Sequence, residues 1–276
     1  MLTDYHVHLR PDDHDATPAE YFTAENARRY RQAAMQRGIA ELGVSEHVHR
    51  FTASLDVWQH DWWKRNGIDD LDAYCGFVRE ETDLRLGIEA DLVAGREEQM
   101  AALLDGRDWD YVVGSVHFLQ DDAVDMRDSP WDIWRSADPD AVWDRYFRTL
   151  GCAAATGMFD ILAHPDLVKV WGHGAPAPAG DLRRFYELAM PGIEQADIAI
   201  EVSTAGLRKP VGEIYPSPEL LRMCLDLGKP VALSSDAHVP GDLGHGYDQA
   251  IELLRGLGVT EVAVFERRQR RMEPLG

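Results

Sequence analysis

Short runs of apolar and β-branched residues alternate along the chain with longer stretches in which apolar positions recur every three to four residues. The short runs predict strands over residues 2–8, 41–45, 84–90, 111–116, 159–163, 198–202 and 230–234, with a weaker one at 261–265. The longer stretches predict helices over 18–36, 141–154, 181–193 and 217–227, the last stopped by Gly228 and Pro230. Seven or eight such βα repeats argue for a parallel sheet, and at 276 residues a closed β/α barrel is its economical form. An open doubly wound sheet competes, but no G-x-G-x-x-G follows the first run, so its dinucleotide-binding version lacks its signature.

Two stretches break the rhythm. Residues 51–76 hold Trp58, Trp62, Trp63 and Tyr74, and residues 120–140 are acidic with Trp131 and Trp134. Both follow strands, so in a barrel they are long βα loops on the active-site side, either shaping a lid or packing onto the barrel. No repeat or linker interrupts the pattern, and residues 1–276 are expected to form one domain.

The formal charge of −20 disfavours a general nucleic-acid binder, yet a small phosphate can bind an acidic protein where bound metals concentrate positive charge. Cys75, Cys152 and Cys224 are far apart and form no C-x-x-C, which predicts buried, reduced thiols and a cytoplasmic protein. Neither a leader-like N-terminus nor an apolar run of membrane-spanning length is present in these residues, so no membrane partner is expected.

The polar residues at strand ends carry the chemistry. His6 and His8 alternate with Tyr5 and Val7, so on a strand they share one face and can grip one metal. His14 follows in a turn-like segment. His47, Glu89, His117, His164, Asp236 and His238 then fall at or near the C-terminal ends of later strands. In a barrel those ends converge on one face. Imidazoles with a few carboxylates suit Zn²⁺, Fe²⁺ or Mn²⁺ better than Mg²⁺ or Ca²⁺. Nine candidate ligands exceed one tetrahedral site, so two or three divalent ions are expected.

With these residues in place the chain resembles the histidinol-phosphate phosphatases of the polymerase-and-histidinol-phosphatase (PHP) superfamily. The resemblance rests on Gly87-Ile-Glu-Ala-Asp91, Val113-Gly-Ser-Val-His-Phe-Leu119, Ser203-Thr-Ala-Gly-Leu-Arg-Lys-Pro210, Glu213-Ile-Tyr-Pro-Ser-Pro218, Ser235-Asp-Ala-His238 and Gly244-His-Gly-Tyr-Asp248. It implies a distorted seven-stranded (β/α)7 barrel, with the run at 261–265 outside it. It also implies three ions: one on His6, His8, Glu89 and Asp236, a second on Glu89, His117 and His164, and a third on His14, His47 and His238. Relatives often reach the third histidine through an apolar and Cys-Pro segment; here Leu9-Arg-Pro-Asp-Asp-His14 keeps the spacing but adds Asp12 and Asp13.

The expected activity is hydrolysis of a small phosphomonoester by in-line attack of a hydroxide bridging two ions; the resemblance supplies L-histidinol phosphate as the substrate. Arg208 is expected to fork onto the phosphate, with Lys209 and Lys169 as further cations and His245 at the rim of the substrate site. Asp236 or His238 would move the proton to the leaving group, and Glu46 would orient an imidazole. A metal-dependent amidohydrolase fits less well, because the fourth strand offers His117 and no lysine. A nuclease module meets the charge of −20, and a non-catalytic metal-binding protein has no need of so full a ligand set.

Overall fold

The computed structural model of the chain describes residues 1–12 and 16–276. Its centre is a seven-stranded sheet in simple sequential order: β1 (Leu2–Asp4), β2 (Ile39–His47), β3 (Arg85–Asp91), β4 (Tyr111–Ser115), β5 (Ile161–Leu162), β6 (Ala199–Ser203) and β7 (Val231–Ser234). Every neighbouring pair is parallel. The circle closes just past the end of β1, where Val7 bridges Ala237 and the His8 N–H donates to the Ala237 carbonyl at 2.8 Å. The regular part of the first strand therefore ends at Asp4, short of the expected residue 8. The two histidines lie on the irregular extension that seals a distorted barrel.

These strands carry almost no alternation because parallel strands covered on both faces have no solvent side. All of β4 and β6 is buried. Gly43 and Gly87 matter here, since a Cβ at either would come within 2.3 Å of the Tyr111 side chain that fills the barrel interior, at its hydroxyl from Gly43 and at its ring from Gly87.

Helices α1 (Pro18–Tyr21) and α2 (Ala24–Gln36) divide the expected 18–36 helix, because Thr23 caps a fresh start through its side chain onto the Asn26 N–H. Further round lie α3 (Asp61–Asn66), α4 (Leu71–Glu81), α5 (Glu97–Leu104), α6 (Pro139–Ala155), α7 (Arg183–Gln195), α8 (Pro218–Asp226) and α9 (Tyr247–Gly256). The stretch 51–76 is thus largely helical, its loop reading corrected by Asp70, whose carboxylate caps α4 at the Asp72 and Ala73 N–H groups. Stretch 120–140 stays mostly irregular, apart from a small antiparallel pairing of Phe118–Leu119 with Asp122–Ala123 and a short turn of 3-10 helix at Ile133–Arg135.

The weak run at 261–265 becomes β8 (Glu261–Glu266), paired antiparallel with β9 (Gln269–Pro274) outside the barrel sheet. Phe265 closes the N-terminal end of the barrel against Tyr5 and Tyr111. The three cysteines are free, but only Cys224 is buried; Cys152 is exposed on the solvent face of α6, contrary to the expectation for all three. No helix among the described residues is long and apolar enough to cross a membrane.

Candidate metal centre and active site

The strand ends deliver their polar residues to one place. Glu89, buried near the end of β3, is ringed by imidazoles from four other segments. His6 Nε2 lies 3.2 Å and His8 Nε2 3.6 Å from its Oε2, with His47 Nδ1 at 2.5 Å. On the other oxygen, His117 Nε2 lies at 3.4 Å and His164 Nε2 at 3.3 Å. Asp236 adds its Oδ1 at 3.4 Å from His8 Nε2 and 3.8 Å from His6 Nε2.

Of these contacts the one between His164 Nε2 and Glu89 Oε1 has hydrogen-bond geometry. His6 Nε2, both nitrogens of His8, His47 Nδ1, Glu89 Oε2 and Asp236 Oδ1 are all buried without a hydrogen-bond partner among the described residues. Leaving so many polar atoms dry and unpaired is expensive. The lone pairs converge on common points between the side chains, which is the arrangement divalent ions require. Three overlapping ligand groups result: His6, His8 and Asp236; His6, Glu89 and His164; and His8, His47 and His238. His117 joins the second through Glu89. His14 lies outside the described residues.

Protonation follows the same logic. Burial pushes the Glu89 carboxyl up, but His47, His6 and His117 outweigh it and hold Glu89 well below the usual carboxylate range. Asp236 is likewise held down against burial by His6 and His8. Burial, with His238 and His47 nearby, pushes His8 well below the ordinary imidazole value, into the neutral form that ligates. Burial also opposes the charge on His117, yet Asp91 and Glu89 raise its pKa to about 10. The carboxylates thus demand positive charge, which protons supply here and which dications supply better.

Several residues that set this geometry were not singled out in the sequence. His6 Nδ1–H donates to Glu201 Oε1 at 2.7 Å, the Ser234 hydroxyl donates to the same oxygen at 2.6 Å, and the His164 N–H donates to Glu201 Oε2. One buried carboxylate therefore aims the His6 imidazole, holds the His164 backbone and ties β6 to β7. Its signal was a lone Glu inside Ala-Ile-Glu-Val-Ser, a run buried on both faces, where a charge has nowhere to point but the interior. His117 Nδ1–H donates to Asp91 at 2.7 Å, an imidazole–carboxylate pairing of the kind that fixes a ligating tautomer. Glu46 accepts from the Leu9 and Arg10 N–H groups at 2.6 and 3.1 Å and from Arg50, while His8 Nδ1 is 3.9 Å away. It fixes the backbone after His8 rather than the ring.

Two candidate ligands sit on left-handed backbone, His164 at φ +24° and Asp236 at φ +51°. Non-glycine residues hold such angles only where the surroundings impose them. At Asp236 the clamp is Arg208, whose Nη2 donates to the Ser235 and Asp236 carbonyls at 2.8 and 3.0 Å while its Nε faces Asp242 at 3.3 Å. Arg208 thus engages the protein through Nη2 and Nε and is not on the pocket wall, while its Nη1, the nitrogen left for the expected phosphate contact, is buried with no hydrogen-bond partner among the described residues. Lys209 is on the wall. His245 is exposed at the tip of a turn between Gly244 and Gly246, both with positive φ, and does not line the pocket. Lys169 is engaged by Asp166 and Glu213, each at 3.0 Å.

Above the cluster opens a cavity of about 340 Å³, walled by Arg10, His49, Trp62, Phe118, Met126 and Trp171 among others, with His47, His117, His164, Asp236 and His238 at its base. Asp12 bonds Arg50 at 2.9 Å and lies 3.4 Å from His238 Nε2, so the acidic departure at this position is partly neutralised by protein. Both irregular stretches contribute, residues 51–76 through Trp62 and Asn66, and residues 120–140 through Asp125 and Met126.

Residues 20–205 match the PHP domain model. The chain is 32% identical over 270 residues to a probable histidinol-phosphatase of Deinococcus radiodurans, covering 95% of this chain and 98% of that protein. It is 26% identical to the histidinol-phosphatase of Bacillus subtilis, covering 87% and 98% respectively. Its fold is similar to the crystal structure of histidinol phosphate phosphatase from Lactococcus lactis in complex with zinc, L-histidinol and phosphate. The TM-score is 0.71 at 16% identity, over 98% of this chain and 100% of the other.

Proposed function

Since the chain belongs to the PHP-domain family, we propose that it is a metal-dependent phosphomonoesterase that hydrolyses L-histidinol phosphate to L-histidinol and phosphate. The observation that carries this reading is the buried Glu89 surrounded by His6, His8, His47, His117 and His164, with Glu89 Oε2, His6 Nε2, His8 Nε2 and His47 Nδ1 in no hydrogen bond among the described residues. Two or three divalent transition-metal ions are the cofactor. Their ligands are His6, His8, His47, Glu89, His117, His164, Asp236 and His238, with His14 completing the set. The whole chain, 1–276, acts as one domain, and its free cysteines favour the cytoplasm.

When bound, the ions act as Lewis acids on the phosphoryl oxygens and bring the pKa of water towards neutrality. The protein supplies the rest. Lys209 reaches the cavity as a cation for the phosphate, while Arg208 holds the Asp236 turn in its left-handed form. Asp236 Oδ1 is ionised and 3.6 Å from His238 Nδ1, so this pair accepts the proton of the attacking water and returns it to the leaving alkoxide. The buried walls keep bulk water away from the exchange.

A phosphate-release screen over small phosphomonoesters, with phosphodiesters and amides alongside, tests the assignment. L-histidinol phosphate is expected to be the best substrate. Turnover confined to amides, or to diesters, would overturn it.

A further inference from the structure

The cavity contains more charge than the metal cluster uses, and most of it is already paired. Arg10 bonds Asp69 at 2.8 Å, Arg50 bonds Glu46 at 2.8 Å and Asp12 at 2.9 Å, and Asp236 faces the imidazoles. Two wall charges form no ion pair within 4 Å among the described residues: the exposed cation Lys209 and the anion Asp125, whose field reaches the neighbouring His117 imidazole. Asp125 Oδ1 is buried and accepts no hydrogen bond. A carboxylate oxygen kept dry and unpaired beside an open cavity is costly unless a ligand satisfies it.

The segment that carries Asp125 is held firmly. The Val124 N–H donates to the His117 carbonyl at 3.0 Å, and the Val124 carbonyl accepts from the indole N–H groups of Trp134 at 2.8 Å and Trp171 at 2.9 Å. Two tryptophans on one carbonyl fix the backbone immediately before Asp125, so the carboxylate is presented from a rigid edge rather than a loose loop. Such preorganisation is what a specificity contact requires.

An unpaired cation and an unpaired anion in one pocket are the complement of a zwitterionic ligand. On the reading given under Proposed function, the substrate has a phosphate at one end and, at neutral pH, an ammonium group beside an imidazole at the other. With the phosphate on the metal cluster and Lys209, we propose that Asp125 accepts the substrate's ammonium group and is the residue that selects amino-alcohol phosphates over other phosphomonoesters. Phe118, Met126 and Trp171 supply the apolar wall for the ring. The contact is to the non-reacting end, so its effect appears in kcat/KM for substrates that have the amine.

The test compares three substrates with the metal-loaded wild type and with Asp125→Asn and Asp125→Ser: L-histidinol phosphate, its deamino analogue and 4-nitrophenyl phosphate. Losing the anion is expected to lower the ratio of kcat/KM for L-histidinol phosphate to that for the deamino analogue by about 30-fold or more. Turnover of 4-nitrophenyl phosphate and retained metal content show that each variant is folded. An unchanged ratio, or an equal loss on all three substrates, would overturn the assignment and place Asp125 in support of His117 instead. Wild-type enzyme that fails on L-histidinol phosphate but hydrolyses the others would overturn the substrate reading itself, a result visible before any variant is made.

Discussion

The two ends of the barrel use the same kinds of residue to opposite purposes. At the N-terminal end the charges that pack against the barrel find partners in the protein. Arg268 bonds Asp160 at 2.9 Å, Arg79 bonds Asp110 at 2.7 Å, and Asp110 also accepts the Leu86 and Arg267 N–H groups at 2.9 and 3.0 Å. Between them Tyr5, Tyr111 and Phe265 pack edge-on, with Tyr5 and Tyr111 rings 4.9 Å apart, and close the interior. At the C-terminal end the imidazoles and carboxylates crowd together with His6 Nε2, both nitrogens of His8, His47 Nδ1, Glu89 Oε2 and Asp236 Oδ1 in no hydrogen bond among the described residues, on backbone forced to positive φ at His164 and Asp236. One end stores stability and the other forgoes it. At the metal cluster the unpaired atoms are concentrated on imidazoles and carboxylates, the groups that ligate a dication.

That contrast can be broken from either side. Replacing Glu89 by Gln removes the carboxylate shared by five imidazoles, and phosphate release should fall by about a thousandfold or more, since several kcal/mol of transition-state stabilisation depend on the ions.

Phe265→Ala should show the reverse. Truncating a buried ring costs about 3–5 kcal/mol, read as a lower denaturation midpoint, while turnover per folded molecule stays at the wild-type level. A large drop in kcat for this variant would mean that the ends are not separable.

Between these lies Glu201→Gln, which keeps the shape but weakens the acceptor for His6 and His164. Metal affinity, measured by competition with a chelator, should drop about 10–100-fold, with activity recovered by excess metal. Smallest is Arg268→Ala, whose partly exposed pair with Asp160 is worth about 1 kcal/mol or less and should leave both activity and metal content untouched.

The legibility of the sequence divides along the same line. Strand positions and the clustered side chains His6, His8, His47, Glu89, His117, His164, Asp236 and His238, the candidate ligands, could be read because a polar residue ending an apolar run is conspicuous. Glu201 and Asp91 lay in equally conspicuous places, but their task is to aim other side chains, and partners from distant strands are invisible until the barrel closes. Arg208 was read from its residue type, whereas its direction is set by the Asp236 turn, a tertiary feature. Asp125 gave no local signal at all, sitting among Asp121, Asp122 and Asp128 in an acidic stretch. Only the two indole donors at Val124 distinguish it. Helices α3 and α4 were hidden by their interleaved charges and aromatics, which resembled a loop.

The most direct test quantifies transition metal in protein purified without chelators, and follows phosphate release from L-histidinol phosphate as the metal is removed and returned. The account predicts two or three equivalents per chain, activity that disappears with them, and recovery of both on adding Zn²⁺, Mn²⁺ or Fe²⁺. Undiminished turnover by protein stripped of metal would contradict it.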